Sequence, residues 1–381
     1  MTGECVAEKQ WSLHSVPLYA VATVLALLGA FTMSSFQTSN PFFIRQLIWL
    51  SVASVVFWAA RQADWRILRR TDAAVGIYGV ATALLLLLFV VGKTFLGAES
   101  WFSFGFFAFQ PIELASLALI IVLAKYFSRR HIEIANIRHI LVSGAYAFIL
   151  FGIVALQPDF GGAIIIFSVW LCMVLVSGIS RTHLFAVFGI GAVAFMGLWS
   201  FGFHQYQRQR VMNFLHPLAD VRGTGYNALQ STIAVGSGQW VGKGIGYGTQ
   251  SKLRFLPEYQ TDFMFAAFSE EWGFIGVVLL FTLYGALFFL LISAAMRGAT
   301  NVEALFSLGV LFYLAAHFAL HTGINMGLLP VTGTTIPFMS YGGSHLVIEF
   351  LMLGMVAGMD RYGNATHRDM FKAEFSGGYD V

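Results

Sequence analysis

Leu256-Pro257-Glu258-Tyr259-Gln260-Thr261-Asp262-Phe263 is the stretch where two kinds of chain meet. Before it lies a basic, glycine-rich segment. After it begins an apolar run reaching residue 295, far longer than the roughly 20 residues needed to cross a bilayer as a helix. An acid at such a boundary sits where hydrocarbon gives way to water. The rest of the chain shows the same character. Of 381 residues, 57% are hydrophobic and 11% charged, against roughly 25% charged in soluble domains, and the mean hydropathy is +0.73. These values identify an integral membrane protein and exclude a soluble globular enzyme.

Ten helical spans are expected, near residues 16–36, 43–60, 73–92, 111–127, 138–156, 161–178, 183–202, 263–295, 303–325 and 337–359. The fold class is therefore all-α and polytopic: a short tail (1–15), one membrane domain (16–359) with a large loop (203–261), and a second tail (360–381). No run alternates in the ten-residue manner of an outer-membrane barrel. The polar first residues and the spanning length of the first apolar run argue against a cleaved signal peptide. Cys5 and Cys172 form no disulfide or metal pattern.

Charge sets the orientation. Arg61, Arg66, Arg69, Arg70, Lys125, Arg129, Arg130, Arg138, Arg181 and Arg297 all fall in alternate short loops, and Arg361, Arg368 and Lys372 in the last tail. Short loops rich in Lys and Arg stay in the cytoplasm, so both termini are expected inside and the 203–261 loop outside. That loop nevertheless carries Arg208, Arg210, Arg222, Lys243, Lys252 and Arg254, which calls for a reason. Tyr226, Leu229, Ile233 and Gly236 recur at helical spacing, predicting a short interfacial or re-entrant helix. The glycines from Gly236 to Gly248 predict irregular backbone able to approach a ligand. They make no nucleotide loop, because the P-loop offsets and the preceding strand are missing.

Acids within spans are candidates for function, since charge at mid-bilayer costs about 2.5–3.5 kcal/mol. From position alone, Asp262 suits either an N-cap or a chemical role. Glu113 follows Pro111 in a first helical turn, where it complements the helix dipole. Asp159, after Pro158 and before Gly161-Gly162, reads as a turn residue. Glu270 and Glu271 point away from Asp262 and read as interhelical partners. His317 and His321 share one helix face; without a third ligand, packing and hydrogen bonding are expected over metal binding. Trp101 suits the aromatic belt. Together, Asp262 and the nearby cations could serve a lipid-linked sugar pyrophosphate, with a base for the attacking hydroxyl and positive charge for the leaving group.

An ordered series of motifs resembles the SEDS family (shape, elongation, division and sporulation). It comprises Arg45 to Trp49, Ser100 to Phe102, Phe109 to Leu114, Leu156 to Gly161, Tyr206 to Val211, Gly223 to Asn227, Gln230 to Gly238, Leu256 to Phe263, Gly327 to Gly333 and Pro337 to Ser344. Gly242-Lys243-Gly244 with Gly248 to Leu253 is more similar to the elongation branch, RodA, than to the division branch, FtsW.

The resemblance implies a glycosyltransferase of the cytoplasmic (inner) membrane. It would polymerise lipid II into β-1,4-linked glycan, invert the donor carbon and release undecaprenyl pyrophosphate. Asp262 corresponds to the essential acid and would take the proton of the acceptor hydroxyl, kept ionised by the dipole of the eighth span. Trp101 and Glu113 match functional positions. Arg208, Arg210, Lys243, Lys252 and Arg254 are the candidates for the pyrophosphates. A divalent cation, Mg or Mn, would suit such chemistry, though the sequence shows no ligand set for one. A class B penicillin-binding transpeptidase is the implied partner. A lipid II flippase and a non-catalytic scaffold are the rival expectations. The chain departs from the family pattern at Ile112 for serine, Ser116 for a lysine three residues after Glu113, and His321 for asparagine. If that lysine pairs with Glu113 or touches phosphate in the family, its part is expected to be absent here or supplied by Lys93 or a loop cation.

Overall fold

Inside a bilayer every backbone polar group must be satisfied within the protein, which leaves helices as the economical way to cross. A computed structural model describes the backbone of residues 2–34, 41–91, 93–95, 98–103, 108–129, 137–197, 199–200, 205–216, 224–253 and 255–376. In chain order these form α1 (Thr2–Ser34), α2 (Pro41–Gln62), a 3-10 turn (Trp65–Arg69), α3 (Thr71–Val91), β1 (Lys93–Phe95), β2 (Ala98–Ser103), β3 (Ala108–Phe109), α4 (Pro111–Ser128) and α5 (Ile137–Leu156). There follow α6 (Phe160–Val176), α7 (Arg181–Gly197), α8 (Gln205–Leu215), α9 (Thr224–Ser237), α10 (Thr249–Lys252), α11 (Met264–Arg297), α12 (Asn301–Asn325) and α13 (Gly343–Ser376).

Among the described residues, eight helices are long and apolar enough to cross a membrane. The sixth and seventh expected spans are represented by the shorter apolar helices Phe160–Val176 and Arg181–Val193. The chain is an all-helical, multi-pass membrane protein. The last span begins at Gly343 instead of residue 337, because residues 336–342 use their backbone groups on other partners. Three elements were not expected from the sequence: the small antiparallel sheet β1-β2-β3, the amphipathic α8, and the one-turn α10.

Burial ranks the helices. The span of α4 is 83% buried, against 22% for α2 and for α3, so α4 is the central helix. It packs against α3, α6 and α12. At the far end of α11, Arg297 forms a two-pronged ion pair with Asp360 of α13 at 3.0 and 3.2 Å. Arg69 likewise pairs with Glu303, which also closes a capping box with Thr300 at the start of α12.

The glycine run meets another part of the chain, which corrects the expectation of backbone kept open for a ligand. α11 is broken at Gly273, whose φ of 65° and ψ of −168° are non-helical. The break exposes main-chain groups, and the 239–244 segment takes them up. Lys243 and Gly244 donate N–H to the carbonyls of Glu270 and Glu271 at 3.0 and 3.1 Å, while Phe274 and Ile275 donate to Gln239 and Trp240 at 2.8 and 3.1 Å. A Cβ on Gly238, Gly242 or Gly273 would collide with facing backbone. The glycines are there for backbone-to-backbone contact.

Candidate active site

The α11 N-terminus should present open N–H groups, and an acid at 262 could cap them. The structure assigns that work to α12. His321 Nε2 accepts from the Phe265 N–H at 3.3 Å and Asn325 Oδ1 from the Ala266 N–H at 3.1 Å. With Nε2 accepting, the His321 proton resides on Nδ1, which faces the Thr334 carbonyl at 2.7 Å. Asn325 Nδ2 donates to the Asp262 carbonyl at 3.0 Å. The N-cap residue is Phe263, which makes no side-chain cap. Asp262 is thereby released from the capping role that position alone allowed it.

Its backbone is set by a knot around the Glu258 carbonyl, which accepts from the N–H groups of Thr261, Asp262 and Phe263 at 3.1, 3.1 and 3.3 Å. Glu258 takes the left-handed region at φ 45° to allow this. Ser340 Oγ donates to the Thr261 carbonyl at 2.8 Å, and the Tyr341 N–H to the Gln260 carbonyl at 2.8 Å. Gly333 faces the acid so closely that a Cβ there would lie 3.4 Å from Asp262 Oδ2.

Burial pushes the Asp262 carboxyl up to about 7; Glu258 and Asp159 push the same way, while Arg210 and a Thr261 hydrogen bond oppose. Desolvation penalises the charged form and so acts against the helix dipole that was expected to keep Asp262 ionised. A carboxyl poised near neutrality is the better general base.

Asp159 joins this group, which its sequence context did not reveal. It is the N-cap of α6, directly after the turn at 157–158, and accepts from the Gly162 N–H at 2.9 Å. Burial first, then the Glu113 charge, raise its carboxyl, while the Gly162 hydrogen bond and Arg210 lower it. The guanidinium of Arg210, on α8, therefore acts on both acids. The usable signal was that the loop after the fifth span shares a face with the 203–261 loop.

The other loop cations part company with this cluster. Arg208 donates to the Ser200 carbonyl at 3.2 Å. Lys243 Nζ pairs with Glu270 at 2.7 Å and Thr249 Oγ1 at 2.8 Å. Lys243, expected among the cations for phosphate, here answers Glu270, and Glu270 is the interhelical partner that was expected, joining α11 to α10. Glu270 gathers the α10 N-terminus as well, accepting from the N–H groups of Thr249 and Gln250 at 2.8 and 3.1 Å. Lys252 is exposed, reaching the Gly246 carbonyl at 3.3 Å. Arg254 lies outside the described residues. Trp101 is half-buried on β2, where it pairs with Lys93 of β1, and β2 packs on α3 and α4.

Glu113 is buried within α4 and already engaged. His345 Nδ1 lies 2.9 Å from its Oε1, and the Tyr313 hydroxyl donates to Oε2. Glu113 is thus enclosed by side chains of α12 and α13, and the cation beside it is a histidine of α13. His317 faces the Thr335 carbonyl at 3.3 Å, so both α12 histidines serve packing and hydrogen bonding. Among the described residues, no three or more His, Cys, Asp or Glu side chains are grouped to hold a metal ion, and none is assigned to the divalent cation.

Comparison with known proteins agrees with this architecture. The family profile of the cell cycle proteins FtsW, RodA and SpoVE matches residues 10–365. Among similar proteins, the probable peptidoglycan glycosyltransferase FtsW of Coxiella burnetii is 32% identical over 352 residues, covering 90% of this chain and 93% of that one. The peptidoglycan glycosyltransferase MrdB of Escherichia coli K12 is 36% identical over 295 residues, covering 77% and 78%. A chain from a solved peptidoglycan synthase complex that coordinates polymerisation and crosslinking superposes with a TM-score of 0.79 at 30% identity, over 91% of this chain and 97% of that one. The protein belongs to the FtsW/RodA/SpoVE family, the SEDS proteins. Relatives from different branches stand at comparable identity.

Proposed function

We propose that this protein is the peptidoglycan glycosyltransferase that lengthens glycan strands from lipid II during cell elongation, with Asp262 as its general base. The observation that carries the reading is Asp262 itself: an acid relieved of helix capping, raised to about 7 by burial and acted on by the charge of Arg210. The 4-hydroxyl oxygen of the acceptor sugar attacks the donor's anomeric carbon. The bond from that carbon to the pyrophosphate oxygen breaks, the hydroxyl proton passes to Asp262, and undecaprenyl pyrophosphate leaves with the electron pair. Attack opposite the leaving group turns an α-linked donor into a β-linked product. Arg210 is the cation assigned to the pyrophosphate, because its charge acts on both Asp262 and Asp159.

The arginine-rich loops support a cytoplasmic-membrane protein with both termini inside and Asp262 on the outer face. The Gly-Thr-Gln-Ser stretch from Gly248 favours the elongation branch. The relative found in a synthase that couples polymerisation to crosslinking supports a class B penicillin-binding transpeptidase as partner.

The test incubates purified protein with lipid II, with and without such a transpeptidase, and measures moenomycin-resistant polymer. Removing a general base costs about 10²- to 10⁴-fold in rate, roughly 3–5 kcal/mol of barrier. Asp262→Asn should therefore fold normally and polymerise at near background. Polymer at the wild-type rate from that variant would remove Asp262 from the chemistry, and lipid II translocation without polymer would favour the flippase.

A further inference from the structure

Glu113 and Glu349 are both carboxylates buried in the bundle, 6% and 0% exposed at the side chain, and one imidazole separates them. His345 Nδ1 lies 2.9 Å from Glu113 Oε1, and its Nε2 lies 3.0 Å from Glu349 Oε1. Among the described residues, His345 is the only ion-pair partner recorded for either acid. The other titratable groups facing them are Tyr313, which donates to Glu113, and His317, whose ring centre is 5.1 Å from that of His345, with His321, all on α12, Tyr284 of α11 beside Glu349, and Asp159 beside Glu113. Two carboxylates on either side of one imidazole favour its charged form, the imidazolium, which is a donor at both nitrogens. An unpaired buried carboxylate is strongly destabilising, so the cation has work to do there.

The pair continues to the site. His345 Nε2 is also 3.0 Å from Thr335 Oγ1. Glu349 Oε2 accepts from the Phe338 N–H at 2.8 Å and holds a non-glycine residue at φ 64°, a conformation that needs such support. Two residues on, Ser340 Oγ accepts from the Ile336 N–H at 3.0 Å and donates to the Thr261 carbonyl at 2.8 Å. Fixing residues 335–340 therefore fixes the chain entering Asp262. On the other side, Glu113 acts electrostatically on Asp159, so the charge beside it bears on that acid too.

On α4, the position three residues after Glu113 lies on the same helix face and is Ser116, buried at 2%. A serine there offers Glu113 no charge. We propose that His345 is a positioning residue for the transferase site, supplying from α13 the cation that α4 lacks at position 116 and tying Glu113, Glu349 and the 335–340 loop into one support for Asp262. The inference rests on the glycosyltransferase reading above.

The test is polymer yield from lipid II by the purified full-length protein with its transpeptidase partner, for wild type, His345→Gln, and His345→Gln combined with Ser116→Lys. Glutamine keeps hydrogen-bonding capacity but not charge. His345→Gln should lower kcat about tenfold or more through misplacement of the reacting groups, with KM for lipid II little changed. Adding Ser116→Lys should return most of the lost kcat, which a purely space-filling role for His345 would not allow. Wild-type kcat in His345→Gln, or no recovery in a folded double variant, overturns the proposal. If His345→Gln does not fold, the double variant decides alone: folded and active supports it, unfolded or inactive overturns it. Asp262→Asn is run alongside. Activity in that variant would refute the base reading while leaving the rescue comparison intact.

Discussion

Arg210 governs how far the Asp262 carboxyl can rise. Burial drives it to about 7, and the guanidinium is the largest of the causes opposing that shift. A base must be unprotonated to act, so polymerisation should increase with pH through about 7 and level off above it. Each unit below should cost about tenfold once the acid form dominates. Removing the Arg210 charge, as in Arg210→Gln, takes away a lowering influence. The midpoint should then move to higher pH, and lipid II use should weaken as the pyrophosphate loses a partner. Initial rates of polymer formation between pH 5.5 and 9 decide the matter, pH values chosen to span that midpoint by over one unit each way. A wild-type profile already flat from pH 5.5 would mean an ordinary carboxylate range, and an unshifted Arg210→Gln midpoint would separate that residue from Asp262. Lys243→Gln should act differently, because its charge answers Glu270. It should lower stability first and lipid II affinity only as a consequence, seen as a fall in melting temperature.

At the scale of elements, the start of α11 is built by another helix. His321 and Asn325 lie four residues apart on one face of α12 and receive two successive N–H groups of α11. Asn325→Ala leaves a buried N–H unanswered and should destabilise by about 1–3 kcal/mol. It should also reduce polymer yield, since Asp262 loses the bond to its own carbonyl. Thermal unfolding in detergent, measured beside activity, checks both. The break in α11 offers a second comparison within one helix. Gly273→Ala would drive a methyl into the backbone of Val241 and Gly242 at a φ of 65° and should markedly lower the melting temperature. Gly285→Ala, with nothing within 4 Å of the added carbon, should be neutral or stabilise by up to about 1 kcal/mol. Equal effects of the two would mean that the glycine loop does not press on α11.

Across the whole molecule, orientation determines whether the site faces the substrate. In a background with Cys5 and Cys172 replaced by serine, single cysteines at Ser128 and Gln239 should react with a membrane-impermeant maleimide from opposite faces of sealed vesicles. Labelling from the same face would place Asp262 in the wrong compartment for an outer-face polymerase. Much of this scale was legible in the chain. Composition and spacing identified a polytopic helical protein, because a bilayer accepts little else. The α9 helix fell where helical spacing placed it, and α11 starts within a residue of where the apolar run begins. Asp262 was legible as a candidate from its place at a helix start beside cations, and the motif series pointed to the family. What remained closed were the relations between distant segments. The sequence could not say whether Asp262 caps a helix or is spared from doing so, because His321 and Asn325 are about 60 residues away. Nor could it say that Lys243 and Glu113 are already paired, or that Asp159 stands with Asp262. Burial and long-range ion pairing depend on which faces meet, and hydropathy is averaged over all faces of a span. The sequence by itself determined the membrane class, the spanning helices and the family; only the tertiary structure decided which acid is poised, which cations attend it, and what holds them, because those are properties of contacts between helices.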